Sequence, residues 1–191
     1  MVKEMQPHYF LAVPVPQLIQ SALHQEARQS GQLQFQRWVH PNDIHLTLVF
    51  LGGCTEKQLH ELVQHGRSLV ENWAPFSLTL SQSGSFGQKK QPRIFWVGVK
   101  ASQQLAVYQS QLADLCRSLG FAVDQRPYAP HLTLARKWAG DEEYNGDGLA
   151  LGNGQSWEVN EIILYESHVQ QEPKYKTYQA FSLKGVQHES D

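Results

Sequence analysis

Two copies of one tetrapeptide carry the side chains of this sequence that are best suited to chemistry. His-Leu-Thr-Leu occurs at residues 45–48 and again at residues 131–134, and each copy begins four residues after a proline. An identical word at two places in a chain of 191 residues indicates internal symmetry. We therefore expect two similar halves that face each other.

Strand geometry predicts what each copy contributes. Successive side chains of a β-strand point to opposite faces, so the histidine and threonine of a copy share one face and its two leucines share the other. The leucines are expected to enter the core. If the two copies lie side by side around a local twofold axis, one open cleft receives two imidazoles and two hydroxyls, those of His45, Thr47, His131 and Thr133.

Such a cleft fits a phosphodiester better than a carbonyl or a glycoside, because it holds two proton carriers and no carboxylate. The ordinary pKa of histidine, about 6.5, lets one neutral imidazole accept a proton while the other, charged, donates one near neutral pH. In-line attack on phosphorus needs such a base and acid on opposite sides. The threonine hydroxyls can hold the non-bridging oxygens, and no metal is needed in this scheme.

Two other interpretations of the repeat have to be weighed. A single His-x-Thr on a strand would ordinarily be structural, since both residue types suit partly buried strands. A zinc site is the second alternative, but threonine is a poor ligand and no third His, Cys or carboxylate stands at ligand spacing. The duplication favours catalysis over both, and we assign the other seven histidines, among them His60 and His65, to surface or packing.

The charge balance argues against one large class of function. Sixteen Lys and Arg against eighteen Asp and Glu give a formal net charge of −2, so the chain lacks the attraction that coats long RNA or DNA. A pocket for one phosphate or one nucleotide needs only a few local charges and stays possible. No glycine-rich loop of the Rossmann or Walker type is present, so no nucleotide cofactor is expected.

Strand and helix patterns along the chain predict an α+β fold built on antiparallel sheet. Strands are expected at residues 8–15, 44–51, 76–81, 94–99, 131–135, 159–166 and 179–184. Helices are expected at residues 15–29, after a capping box of Thr55 and Gln58, and between Ser102 and a glycine cap at Gly120. Segments 76–81 and 94–99 should pair as a hairpin, residues 139–154 should form a surface loop, and residues 187–191 should fray.

The whole chain, residues 1–191, is predicted to be one bilobal domain with two pseudo-repeats, flanking helices and a central cleft. Its start has neither the basic region nor the cleavage site of a signal peptide, and no run approaches the roughly 18 apolar residues of a membrane span. Cys54 and Cys116 form no motif, which favours plain thiols in the reducing cytoplasm. Nothing in the sequence indicates an obligate protein partner, so a monomer is expected.

Further motifs accompany the repeat: Trp38-Val39-His40-Pro41, HLTLVFLG from His45, Gly84-Ser85-Phe86, Arg126-Pro127-Tyr128, and HLTLAR from His131. Together with the two His-x-Thr words, they resemble the 2H phosphoesterases. More closely, they resemble the bacterial and archaeal RNA 2',3'-cyclic phosphodiesterases, historically called 2'-5' RNA ligases. The resemblance runs over nearly the whole chain and implies a bilobal α+β fold with a cleft between the lobes. It also implies hydrolysis of a terminal RNA 2',3'-cyclic phosphate to a 2'-phosphomonoester.

The resemblance implies a role for each cleft residue. His45 corresponds to the family's proton donor to the leaving 3' oxygen, and His131 corresponds to the base that activates water. Thr47 and Thr133 correspond to the phosphate-binding threonines. Arg136, five residues after the second histidine, corresponds to a basic residue near the phosphate. The implied substrate is an RNA 3' end or a small cyclic nucleotide.

Arg136 makes the two halves unequal, because its counterpart in the first copy is Phe50. Strict alternation puts Arg136 on the leucine face, so it reaches the cleft only if the strand bulges or ends near Ala135. Otherwise it is a solvated or salt-bridged arginine. Weaker candidates are a basic cluster for RNA phosphates and aromatic rings for base stacking, each with a packing or solvated alternative: Lys89, Lys90 and Arg93, and Phe86 and Tyr128.

Other substrates and one other class of function stay open. Within the same chemistry, the substrate could be another cyclic phosphate or a 2'-5' linkage, and reversal of the reaction would give ligation. From a different class, the protein could be an RNA-end binding module without turnover. The intact set of histidines and threonines favours the enzyme.

Overall fold

The structure is a computed structural model that describes residues 6–185. Within that range the strands are β1 (His8–Pro14), β2 (Phe35–Trp38), β3 (His45–Gly53), β4 (Phe76–Gly87), β5 (Pro92–Val99), β6 (His131–Trp138), β7 (Ser156–Val159), β8 (Glu161–Ser167) and β9 (Tyr175–Ser182). The helices are α1 (Gln17–Gln29), α2 (Glu56–Val70) and α3 (Gln103–Ser118). Short 3-10 turns lie at Pro41–Asp43 and Leu151–Gly154.

The nine strands form one antiparallel sheet with the two His-Leu-Thr-Leu strands at its centre. The order is β7-β4-β5-β6-β3-β1-β8-β9, and β2 pairs with the end of β6. The central strands β3 and β6 meet through one antiparallel pair, Leu46 opposite Leu132. These are equivalent positions of the repeat, and antiparallel pairing of equivalent residues is what a local twofold axis produces. The predicted α+β fold of antiparallel strands, in two similar halves, is confirmed.

Each half repeats the same chain path. One half contains β1, α1 and β3, and the other contains β5, α3 and β6. The helices cross over, because α3 packs against β3 of the opposite half and α1 packs against β6. Gln109 of α3 adds a hydrogen bond from its Nε2 to the Leu48 carbonyl, 3.1 Å long. The two helices therefore hold β3 and β6 together on the core face of the sheet.

The four leucines of the repeat lie in the core, as predicted. Leu46, Leu48, Leu132 and Leu134 are each 4% exposed or less. Removal of that much apolar surface from water stabilises the fold by roughly 1.5–3 kcal/mol for each such side chain. The core side of β3 and β6 is thereby fixed, and the histidine side is left facing the cleft.

Helix ends follow the sequence closely, because capping is a local effect. Thr55 and Gln58 form the predicted capping box at α2, with Gln58 N donating to Thr55 Oγ1 at 3.2 Å and Thr55 N donating to Gln58 Oε1 at 3.0 Å. Ser102 Oγ accepts from Leu105 N at 3.1 Å to start α3. Gly120 follows α3 with φ +88°, the left-handed conformation that favours glycine.

The predicted hairpin of segments 76–81 and 94–99 is wrong in its register. Residues 76–79 pair with β7, and β5 pairs mainly with residues 83–87 further along β4. A register shift between Leu80 and Ser83 lets the 12-residue strand change partners. Hydrophobic alternation shows that a strand exists, but its partner depends on residues distant in sequence.

The structure adds to these expectations and corrects one of them. Residues 35–38, outside the predicted strands, form β2, and the strand predicted at 159–166 is β8, which begins at Glu161 because Val159 ends the separate strand β7. The loop at residues 139–154 is not all surface, because Tyr144 and Leu151 are each 8% exposed and belong to the core. The frayed tail expected at residues 187–191 lies outside the described residues.

Neither membrane helices nor reactive thiols stand out in the described part of the chain. None of the helices in residues 6–185 is long and apolar enough to cross a membrane. Cys54 and Cys116 are free, as expected, and burial raises the pKa of their thiols to about 11 and about 12. Both side chains are therefore thiols near neutral pH, with little nucleophilic thiolate.

Candidate active site

A bulge in each central strand decides which side chains enter the cleft. In β6, Leu134 and Ala135 are both buried and the pairing with β5 shifts by one residue, so strict alternation is lost. The shift brings Arg136 onto the face of His131, which is the condition under which it was expected to reach the cleft. At the equivalent place in β3, two consecutive residues are again buried, and Phe50 turns to the histidine face.

The cleft has a volume of about 570 Å³ and holds all five side chains predicted from the repeat and the resemblance: His45, Thr47, His131, Thr133 and Arg136. Further lining residues come from neighbouring strands and loops, among them Phe10, Arg37, Asp43, Phe50, Glu172, Lys174 and Tyr175. A smaller depression of about 290 Å³ lies elsewhere, around Gln34, Trp138 and Glu142, and contains none of the repeat residues. The larger cleft is therefore the candidate active site.

His45 is held by hydrogen bonds at both ring nitrogens. Its Nδ1 lies 2.7 Å from the Asp43 carbonyl oxygen, and its Nε2 lies 2.8 Å from Thr47 Oγ1. A carbonyl only accepts, so Nδ1 carries the hydrogen, and in the neutral ring Nε2 accepts from the threonine hydroxyl. The rings of Phe10 and Tyr175 lie 4.7 and 5.2 Å from the imidazole and fix its plane.

His131 repeats this arrangement in the other half. Its Nδ1 lies 2.7 Å from the Ala129 carbonyl oxygen, again two residues upstream, so Nδ1 donates and Nε2 is the nitrogen available to a substrate. Phe86 packs edge-to-face on the imidazole with ring centres 4.9 Å apart, and the Trp96 ring centre lies 6.1 Å away. Backbone carbonyls thus set the same tautomer in both histidines.

The environment favours neutral forms of both imidazoles. Burial, together with the charges of His131 and Arg136, lowers the pKa of His45 to about 4, although the Asp43 carbonyl and carboxylate act in the opposite direction. Burial, with Arg136, also lowers the pKa of His131. The ordinary histidine pKa predicts that one of the two imidazoles is protonated near neutral pH. The lowered pKa values of His45 and His131 contradict this prediction. An anion bound between them would reverse the effect and raise both pKa values.

Asp43 is a site residue that sequence reasoning missed. Its side chain is buried, and its two carboxylate oxygens accept from the backbone N–H groups of Lys174, at 2.8 Å, and Tyr175, at 3.1 Å. Its own carbonyl orients His45. The equivalent residue before His131 is Ala129, so only one half has this carboxylate. A charged residue two places before the histidine was the available signal.

The weaker candidates lie away from the cleft lining. Tyr128 donates from its hydroxyl to the Thr47 carbonyl at 2.8 Å, so it links the two halves, and Phe86 packs on His131. In the basic cluster, Lys90 forms an ion pair with Glu143, and Lys89 and Arg93 are exposed. Within residues 6–185, no three His, Cys, Asp or Glu side chains gather as a candidate metal site.

Two His-x-Thr strands side by side at the centre of an antiparallel sheet, with their imidazoles and hydroxyls in one cleft, define a 2H phosphoesterase. The chain belongs to the 2'-5' RNA ligase superfamily, whose family model matches residues 14–171. The recognition made from the sequence is thus confirmed.

Similar proteins extend this match over nearly the whole chain. A Bacillus subtilis protein named RNA 2',3'-cyclic phosphodiesterase is 33% identical over 180 residues, which are 94% of this chain and 98% of that protein. A Geobacillus stearothermophilus protein of the same name is 39% identical over 182 residues, and the chain spans 58% of its length. Both names are those of hydrolytic enzymes, the class expected from the sequence.

Solved structures show the same fold. A Thermus thermophilus protein superposes with a TM-score of 0.75 at 27% identity, covering 93% of this chain and 98% of that one. The apo form of Escherichia coli LigT superposes with a TM-score of 0.72 at 24% identity, covering 94% of this chain and 99% of that one.

Proposed function

We propose that this protein hydrolyses the 2',3'-cyclic phosphate at the 3' end of RNA to a 2'-phosphomonoester, with no metal or other cofactor. The observation that carries the proposal is the pair of imidazoles in one cleft, each held through Nδ1 on a backbone carbonyl so that Nε2 is left for proton transfer. The names of the Bacillus and Geobacillus relatives support the substrate class.

In the proposed reaction, Nε2 of His131 removes a proton from water, and the water oxygen attacks phosphorus. The bond from phosphorus to the 3' oxygen breaks on the opposite side, and Nε2–H of His45 gives the leaving oxygen its proton. The 2' oxygen keeps the phosphate. Each turnover consumes one water and leaves one proton moved from His45 to His131, which solvent exchange restores.

Three side chains act on the phosphate itself. Thr47 and Thr133 donate from their hydroxyls to the non-bridging oxygens, so the hydroxyl that now bonds His45 turns to the substrate. Arg136 offsets the charge that develops on these oxygens. The substrate anion in turn raises the pKa of His45, which allows an imidazole otherwise neutral to act as an acid.

The shifted imidazoles predict two different pH profiles. The profile of kcat/KM reports the free enzyme, so both of its limbs should lie at lower pH than for two ordinary imidazoles, because burial lowers both pKa values. The profile of kcat reports the bound complex, in which the anion raises both, so it should lie at higher pH. Initial rates from pH 4 to 9 measure both profiles, and a kcat profile at the same or lower pH would contradict the anion effect.

Product identity tests the assignment of acid and base. A short RNA ending in a 2',3'-cyclic phosphate should give only the 2'-phosphomonoester, separable from the 3' isomer by chromatography or phosphorus NMR. A 3'-phosphate would mean that the 2' oxygen leaves. The same assay with a 2'-5' linked dinucleotide tests the alternative substrate and, run in reverse, ligation. Binding of the cyclic-phosphate RNA without hydrolysis would instead support the RNA-end binding module.

The proposal includes the expected setting of the enzyme. We propose a cytoplasmic enzyme, since its two cysteines are free. We also propose a monomer, since no sequence feature indicates an obligate protein partner. Light scattering after gel filtration should give a mass close to 21.7 kDa.

A further inference from the structure

A second arginine stands beside Arg136 in the cleft. Arg37 of β2 is directly opposite Arg136 of β6 in the antiparallel register, and both line the same cleft. Residues directly opposite in such a pair have Cβ atoms roughly 4.5–5.5 Å apart and share a face of the sheet. The fold therefore brings two guanidinium-bearing side chains to one side of the cleft.

Two like charges directly opposite each other destabilise a sheet, and bound anions offset that repulsion. Among the described residues, neither Arg37 nor Arg136 forms an ion pair with a carboxylate. The uncompensated pair at the cleft is the arrangement of a site that binds an anion.

One arginine of the pair is already assigned to the reacting phosphate. Arg136 lies in the same strand as His131 and Thr133, whereas Arg37 lies on the neighbouring strand, about 4.8 Å from Arg136 across the sheet. With Arg136 engaged by the reacting phosphate, the charge of Arg37 is left for a second anion beside it. In a nucleotide chain, the neighbouring anion is the phosphodiester that joins the last two nucleotides.

We infer that Arg37, opposed to Arg136, forms a second phosphate subsite that binds the internucleotide phosphodiester before the reacting end. The substrate class is then an RNA end of two or more nucleotides, in preference to a free cyclic mononucleotide. This inference rests on the proposed function for its reaction, but the subsite is also measurable by binding alone.

The test compares two substrates that share one reacting end: cytidine 2',3'-cyclic phosphate and the trinucleotide CpCpC ending in the same cyclic phosphate. The wild-type chain should prefer the trinucleotide in kcat/KM by tenfold or more. R37Q should lower this preference about tenfold and reduce the slope of log kcat/KM against log salt for the trinucleotide by about 0.7. The matched control R67Q removes an exposed arginine from α2, away from the cleft, and should change neither.

Lys174 provides a second control, since it also lines the cleft but on the side of β9. The inference is overturned if R37Q leaves the substrate preference unchanged, if it lowers both substrates equally, or if K174Q alone removes the preference. Fluorescence anisotropy of a labelled CpCpC 3'-phosphate separates the two proposals. If the wild-type chain turns over neither substrate, the proposed reaction is overturned. Weaker binding of the trinucleotide by R37Q, with unchanged binding by R67Q, would still support the subsite.

Discussion

Replacing His45 or His131 with alanine is expected to lower turnover of a 2',3'-cyclic phosphate by about 10²–10⁴-fold, the usual contribution of one positioned acid or base. Each substitution removes the Nε2 atom to which we assign a proton transfer, and neither removes a leucine of the core. The free energy of unfolding should therefore change little. Steady-state rates on the CpCpC cyclic phosphate, with urea unfolding of each variant, measure both quantities.

His65→Ala is the matched control, because His65 is an exposed histidine on α2. It should keep full turnover. Full turnover by either cleft variant would refute the two-histidine mechanism. Loss of wild-type activity on treatment with a chelator, restored by a metal, would instead favour metal-assisted hydrolysis.

Asp43→Ala is expected to have the second large effect, and on two properties at once. The backbone N–H groups of Lys174 and Tyr175 lose the carboxylate that accepts from them, at a cost of about 3–6 kcal/mol for two hydrogen bonds to a charged group. Turnover should fall as well, because the carboxylate raises the His45 pKa. Alanine keeps the carbonyl that holds Nδ1 of His45, but that carbonyl loses the anchoring of its residue to Lys174 and Tyr175.

Asp43→Asn separates the two effects. It keeps the size of the side chain and one acceptor oxygen, so it should recover part of the stability but not the negative charge, and the alkaline limb of kcat/KM should move to lower pH. Asp124→Asn, an exposed carboxylate paired with Arg126, is the control for removing an acid. An Asp43→Asn enzyme with an unchanged pH profile would mean that Asp43 is purely structural.

Local patterns made the central part of the site predictable. The repeat fixed the strands, the face of each histidine and the burial of the leucines, because strand alternation acts between residues two apart. The capping box at Thr55 was equally readable. For Arg136, the sequence predicts only that it reaches the cleft if β6 bulges near Ala135. The adjacent apolar residues Leu134 and Ala135 do not by themselves show whether the strand bulges there.

What the sequence did not predict depends on contacts between distant residues. The change of partner along β4, the strand β2 and the buried Tyr144 all follow from register and packing with residues far along the chain. The pKa of His45 also depends on distant residues, because burial in the assembled cleft lowers it from its ordinary value. Asp43 belongs to this group, because its partners are more than 130 residues away.

Under the proposed reaction, the twofold arrangement of the central strands raises the question of how the substrate is bound in one direction. A cleft with identical halves would bind a cyclic phosphate equally well in two poses related by the axis, and it would release the 2' oxygen in one pose and the 3' oxygen in the other. The two halves differ at equivalent positions of the repeat, where Arg136 corresponds to Phe50 and Ala129 to Asp43, and we expect these differences to make the two poses unequal in energy. Exchanging the two residues, with arginine at position 50 and phenylalanine at position 136, should favour the reversed pose of the substrate and release of the other ribose oxygen.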